Sequence, residues 1–209
     1  MGAPIAPDGL EAPSWTAAAN ARNLASAALR MTYRVNAHGA HHVGRSGPLV
    51  MVTSCEALLA GAVIHATAPR PVHVIANEAM GRALPDRVLA AAGDLKPAGP
   101  GAILAQRQAL VAVLDERAVV VAGAAVPASY LVAMSGAPVL PVVVIGAMGR
   151  VPTDPPRPRS RIDVFYLPPV VLDVPGDPLR ASTRAAVAEQ LRQVLADADE
   201  QASRRLVSP

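Results

Sequence analysis

Between Ala118 and Gly149 the chain carries no charged side chain. A stretch so long and so apolar has two physical homes, the hydrocarbon of a bilayer or the interior of a protein. Its punctuation decides between them. Pro127, Pro138 and Pro141, with Gly123, Gly136 and Gly146, cut it into pieces shorter than the roughly 20 residues a spanning helix needs. Val119 to Val121 reads as a strand, Ala128 to Ser135 as a helix stopped at Gly136, and Val139 to Ile145 as another strand. Strands this apolar on both sides belong to a sheet covered on both faces.

Composition supports a buried core. A chain of 209 residues that is 52% hydrophobic can close one domain. Aromatics are only 2%, so Val, Leu, Ile and Ala must build the interior. The net charge is +3, with no clustered basic face and no stacking aromatics, which argues against a nucleic-acid partner. That balance is compatible with an anionic membrane surface or a phosphate ligand. Cys55 is the single cysteine and excludes an internal disulfide framework. Residues 1–13 are rich in Pro, Gly and Ala and lack the basic start and apolar core of a signal peptide, so a flexible tail and a cytoplasmic location are expected.

Residues 14–32 form an N-terminal amphipathic helix in this reading, capped by Ser14, with Trp15, Ala18, Leu24 and Leu29 toward one face. It either packs on the domain or rests on lipid, with Arg22 and Arg30 as its cations. Residues 33–209 form the main domain. Strands are expected over Tyr33–Asn36, Leu49–Thr53, Val72–Ala76, Ile162–Tyr166 and Val170–Leu172. Helices are expected over Cys55–Thr67, Leu84–Ala92, Ile103–Asp115 and from Asp177-Pro178 onward. Strands alternating with helices predict one α/β domain, a mostly parallel mixed sheet flanked by helices.

One segment carries chemical information. Leu49-Val50-Met51-Val52-Thr53 is an apolar strand, Ser54-Cys55-Glu56-Ala57-Leu58-Leu59 a loop, and Ala60-Gly61-Ala62-Val63-Ile64 an apolar helix. This frame resembles the first motif of the PlsC-like glycerophospholipid acyltransferases, a strand, then Asn-His-x-x-x-x-Asp, then a helix. Val35 to Val43 is similar to that family's opening strand and turn, and Arg70 to Glu78 to the strand after its first motif. Pro127 to Val144 is similar to its fourth motif, and Pro155 to Val164 to its late strand. The resemblance spans roughly Tyr33 to Leu172 and implies an acyltransferase-like fold.

The resemblance also implies what is missing. Cys55 stands at the family's catalytic His position, Ala60 at the Asp position and Ser54 at the Asn position. Gly99 falls where the second motif has a phosphate-holding Arg. After Val121, where the third motif should follow, the chain has the shortened run Ala122-Gly123-Ala124-Ala125-Val126, and that motif's Glu and Arg are both absent. A thiol is a nucleophile rather than a proton shuttle, and alanine orients nothing. The expectation is a pseudoenzyme that binds lipid or an acyl chain, or scaffolds or regulates an active acyltransferase. Ser54, Gly99, Ala122, Gly123, Val139 and Pro141 are the candidate substrate groove. No cofactor is implied.

Two other readings stay open. An active enzyme would move an acyl group from acyl-CoA or acyl carrier protein to a lysophospholipid, using Cys55, Glu56, or a histidine such as His65 or His73 recruited in space. A plain interaction module would have no lipid site. His38, His41 and His42 lack the further donors that a zinc site needs, so no metal is expected. Arg157, Arg159 and Arg161 lie in a Pro/Arg-rich loop that is either solvated or meets phosphates. Peripheral contact with the inner membrane surface is expected only as an option.

Overall fold

The computed structural model describes residues 14–75, 102–123 and 125–207. The expected tail and helix Leu84–Ala92, and with them Gly99, lie outside the described residues. Six strands form one sheet: β1 Arg34–His38, β2 Leu49–Thr53, β3 Val72–Ile75, β4 Ala118–Ala122, β5 Val139–Ile145 and β6 Arg161–Tyr166. Their order is β1-β6-β5-β2-β4-β3. Every neighbouring pair is parallel except β5 and β6, so the sheet is mixed and mostly parallel, as the sequence predicts. The helices are α1 Trp15–Thr32, α2 Ala60–Thr67, α3 Ala102–Leu114, α4 Ala125–Ser135 and α5 Ala181–Val207.

Side-chain alternation divides the core. Met51, Val74, Val120, Leu140 and Val164 point to one face and meet Val63 and Ile64 of α2 and Leu29 of α1. Val50, Val52, Val119, Val121 and Val139 point to the other and meet Val113 of α3, Leu131 of α4 and Leu191 of α5. β2, β3 and β4 are buried at every position, and each of their Val, Leu, Ile and Met side chains contributes roughly 1.5–3 kcal/mol by leaving water. Pro141 sits inside β5 without breaking the ladder. Its carbonyl accepts Leu167 N–H at 3.1 Å, on the side where β6 has already ended, so its missing donor falls beyond that partner strand.

Long-range contacts move several expected boundaries. α2 starts at Ala60 rather than Cys55, and Leu58 N–H, which a longer helix would orient along its axis, donates instead to Pro152 O at 2.7 Å. β1 continues to His38 because it pairs there with Phe165 of β6. Val170 makes only an isolated bridge to Val139, not a strand. α5 begins at Ala181, after a turn in which Asp177 Oδ1 accepts Leu179 N–H at 2.9 Å.

α1 packs on the domain. Ser14 Oγ accepts Ala17 N–H, Arg22 Nε donates to Ala68 O at 2.9 Å, and His65 Nε2 donates to Ala18 O at 3.0 Å. Ala18 and Leu29 are buried, while Leu24 and Met31 face outward. No described helix is long and apolar enough to cross a membrane.

Candidate functional site

The parallel strands β2, β4 and β5 finish at one edge of the sheet, the edge where ligands bind in open α/β folds. Thr53 ends β2 opposite Ala122, the end of β4. Gly123 turns away with φ +77°, a conformation that favours glycine, and its N–H donates to Thr53 O at 2.9 Å. Ser54, Ala122 and Gly123 are thus neighbours at this edge. Val139 and Pro141 are not. Both are buried in β5, level with Val50 and Val52, and serve the core rather than a groove.

Alternation continues into the loop. Cys55 turns toward α2 and packs half-buried against that cluster. Its N–H donates to Thr53 Oγ1 at 3.2 Å. Ser54 turns the other way, toward α5, and its Oγ donates to Asp199 Oδ2 at 3.1 Å. Glu56 is exposed, and Ala60 is fully buried as the first residue of α2. The thiol therefore lies well before the helix it was expected to open. Burial pushes the Cys55 pKa above its ordinary 9.0; the Ala57 backbone N–H opposes this, and Asp199 and Glu56 push it further up. At neutral pH the thiol is protonated, a poor nucleophile and a poor base.

No histidine is delivered to Cys55 from the two expected positions. His65 is buried against α1 and bonds Ala18 O, and burial lowers its pKa. His73 pairs with Val119, which pairs with Val50, so it is level with the early part of β2.

A third histidine does hold a carboxylate. Asp163 Oδ1 accepts from His38 Nε2 and Asn36 Nδ2, both at 3.1 Å, and from Arg161 at 3.0 Å. Asp163 Oδ2 accepts Arg161 Nε at 2.6 Å. The His38 ring stacks on Phe165 with centroids 4.6 Å apart. Burial works to raise the Asp163 pKa, but the bonds from Arg161, His38 and Asn36 overcome it and leave the carboxyl below its ordinary 3.8. The strand registers place this couple. Val52 pairs with Pro141, Val143 with Phe165, and Phe165 with His38, so His38 is level with Ser54 but three strands away. At strand spacing that is about 14 Å. Asp163 follows Phe165's side of the sheet, the α5 side, whereas Cys55 faces α2. The couple is therefore no substitute dyad at the Cys55 loop.

Two of these groups were not legible as site residues. Asp199 lies 145 positions from Ser54, and Asp163 lies 125 positions from His38, with no local spacing to mark either pair. The His41 and His42 rings touch each other at 4.1 Å, and no cluster among the described residues could hold a metal ion.

No family model and no curated protein matches the sequence. Among solved structures, the fold is similar to the crystal structure of the 1-acyl-sn-glycerophosphate (LPA) acyltransferase, PlsC, from Thermotoga maritima. The TM-score is 0.56, with 14% identity over 86% of this chain and 79% of that one. At that identity the likeness is one of fold. The α/β layout expected from the motif order is present.

Proposed function

We propose that this chain is a lipid- or acyl-chain-binding protein on an acyltransferase-like fold that has lost acyl-transfer chemistry. One observation carries the reading: the loop after β2 presents Cys55 as a protonated, half-buried thiol, with fully buried Ala60 behind it. Acyl transfer to a hydroxyl needs a base poised near neutrality within hydrogen-bond reach of that hydroxyl, and such a base is worth about 10²–10⁴ in rate. Neither side chain supplies one. The expected ligands are a lysophospholipid, an acyl chain or acyl-CoA, held at the β2–β4 edge, with scaffolding or regulation of an active acyltransferase as the cellular role. A cytoplasmic protein touching the inner membrane face is consistent with this reading.

The test is an assay of purified protein with lysophosphatidic acid and acyl-CoA or acyl carrier protein, beside a titration with lysophosphatidic acid alone. Saturable binding without turnover is expected. Robust turnover defeats the reading. One contact favours residual activity instead: Asp199 places a carboxylate on Ser54 in the loop after β2. Under that alternative, Asp199→Asn abolishes turnover and Cys55→Ala leaves it unchanged.

A further inference from the structure

We propose that the loop between β5 and β6 docks the chain on an anionic phospholipid surface, with Arg150, Arg157 and Arg159 gripping lipid phosphates. The assignment rests on the lipid-binding reading above and adds the surface through which lipid is met.

The loop is a built structure. Gly146 leaves β5 at φ +82°, where a Cβ would strike the Arg161 carbonyl, so the chain folds back tightly over β6. Gly149 N–H donates to Asp154 O and Asp154 N–H to Val151 O, both at 3.0 Å, and Ser160 N–H donates to Arg157 O at 3.1 Å. Pro152, Pro155, Pro156 and Pro158 fix φ along it. Outside contacts pin it as well. Pro152 O accepts Leu58 N–H, Pro156 O accepts the Tyr33 hydroxyl at 3.4 Å, and Arg159 N–H donates to Thr32 O at 2.7 Å. The result is a loop pinned at several points that lines an open cavity of 880 Å³; Arg150 and Arg157 are among the lining residues, and Arg159 lies between them and the committed Arg161 in the same loop.

The loop's charge is left available. Arg161 is committed to Asp163. Among the described residues, the side chains of Arg150, Arg157 and Arg159 take no hydrogen bond and no ion pair. Asp154 is the one carboxylate among the cavity's lining residues. A pinned loop that carries three exposed arginines suits phosphate groups, which arginine binds bidentately. The apolar residues select the source of those phosphates. Met148 and Val151 on the loop are each 47% exposed, and Met31, beside the Thr32 anchor, is 87% exposed. A soluble anion gains nothing from them, whereas a bilayer accepts such side chains among its headgroups and acyl boundary. A nucleic acid would want stacking aromatics, and the loop has none.

The experiment uses the full chain and sedimentation with vesicles of equal parts phosphatidylglycerol and phosphatidylcholine, against phosphatidylcholine alone. Binding to the mixed vesicles and weak binding to the neutral ones is expected. Replacing Arg150, Arg157 and Arg159 together by Gln should weaken the mixed-vesicle affinity about 100-fold. Replacing Arg107, Arg180 and Arg192 removes the same charge elsewhere and should change it only a few-fold. Met148→Ser with Val151→Ser should weaken binding several-fold at unchanged charge. Thermal melts check that each variant folds. No binding to mixed vesicles, an equal loss in the two arginine variants, or equal competition by dilute inorganic phosphate or RNA would each overturn the proposal. Monomeric lysophosphatidic acid separates the two readings. If it fails to bind while vesicles still do, the groove reading falls and the docking loop stands; the reverse pattern sinks the docking loop alone.

Discussion

Two loops at one end of the sheet differ sharply in their side-chain chemistry. The loop after β2 holds Cys55, a protonated thiol, and leads to buried Ala60; of its ionisable groups only Glu56 is exposed. The loop after β5 carries three arginines whose side chains have no partner among the described residues, and leads to Asp163, which four hydrogen bonds satisfy. The two loops touch through Leu58 and Pro152, so the contrast is not one of distance. It teaches that this part of the sheet's edge is held by backbone and apolar contacts, so that little of the fold depends on polar side chains in the loop after β2. The β5–β6 hairpin leads into a satisfied polar cluster around Asp163 of β6, which is therefore the more fragile place to substitute.

Asp163→Ala is the largest expected break. It removes a carboxylate whose side chain is only 5% exposed and strands Asn36, His38 and Arg161. Arg161 is 62% exposed and stays hydrated, so the cost is set below that of a fully buried pair, at about 2–3 kcal/mol in a denaturant melt. The same carboxyl gives a pH signature. Its folded pKa lies below its unfolded 3.8, so its contribution is complete above that value and is lost as pH falls through the folded pKa. Asp163→Asn should flatten that part of the acid-stability curve. An unchanged curve would mean the cluster does not hold the hairpin.

Gly146→Ala comes next. Its φ of +82° is unfavourable for alanine, and the added carbon meets the Arg161 carbonyl of β6. About 1–2 kcal/mol of destabilisation is expected. The matched substitution in the other loop, Ser54→Ala, removes an exposed bond to Asp199 and should stay within about 0.5 kcal/mol. Equal effects at the two positions would erase the contrast.

The fold was readable because its signals are local. Gly136 and Pro138 mark where α4 stops and β5 begins, and the run Val119 to Val121 can only be a covered strand. The site was less readable because its determinants are remote in sequence. The start of α2 depends on a carbonyl at Pro152, and the partner of Ser54 sits on the last helix. Val139 and Pro141 drew attention as members of a motif, yet a motif of buried valines and prolines marks a strand as readily as a groove. The arginines of the β5–β6 loop showed in the sequence as charge in a Pro-rich segment; that their forks are free required knowing that Arg161 alone is taken.

The smallest effect probes the β2 loop from within. Because burial raises the Cys55 pKa, alkylation by iodoacetamide should be slow at neutral pH and should climb only as pH passes 9.0. Asp199 adds to that rise through its negative charge, and it bonds the neighbouring Ser54. Asp199→Asn should therefore shift the alkylation profile slightly toward lower pH, while Arg150→Gln, Arg157→Gln and Arg159→Gln leave it in place. Fast alkylation of the unmodified protein at neutral pH would reveal an activated thiol. The β2 loop would then be a reactive site in its own right, and the division of labour between the two loops would fail at the residue on which it is most exposed.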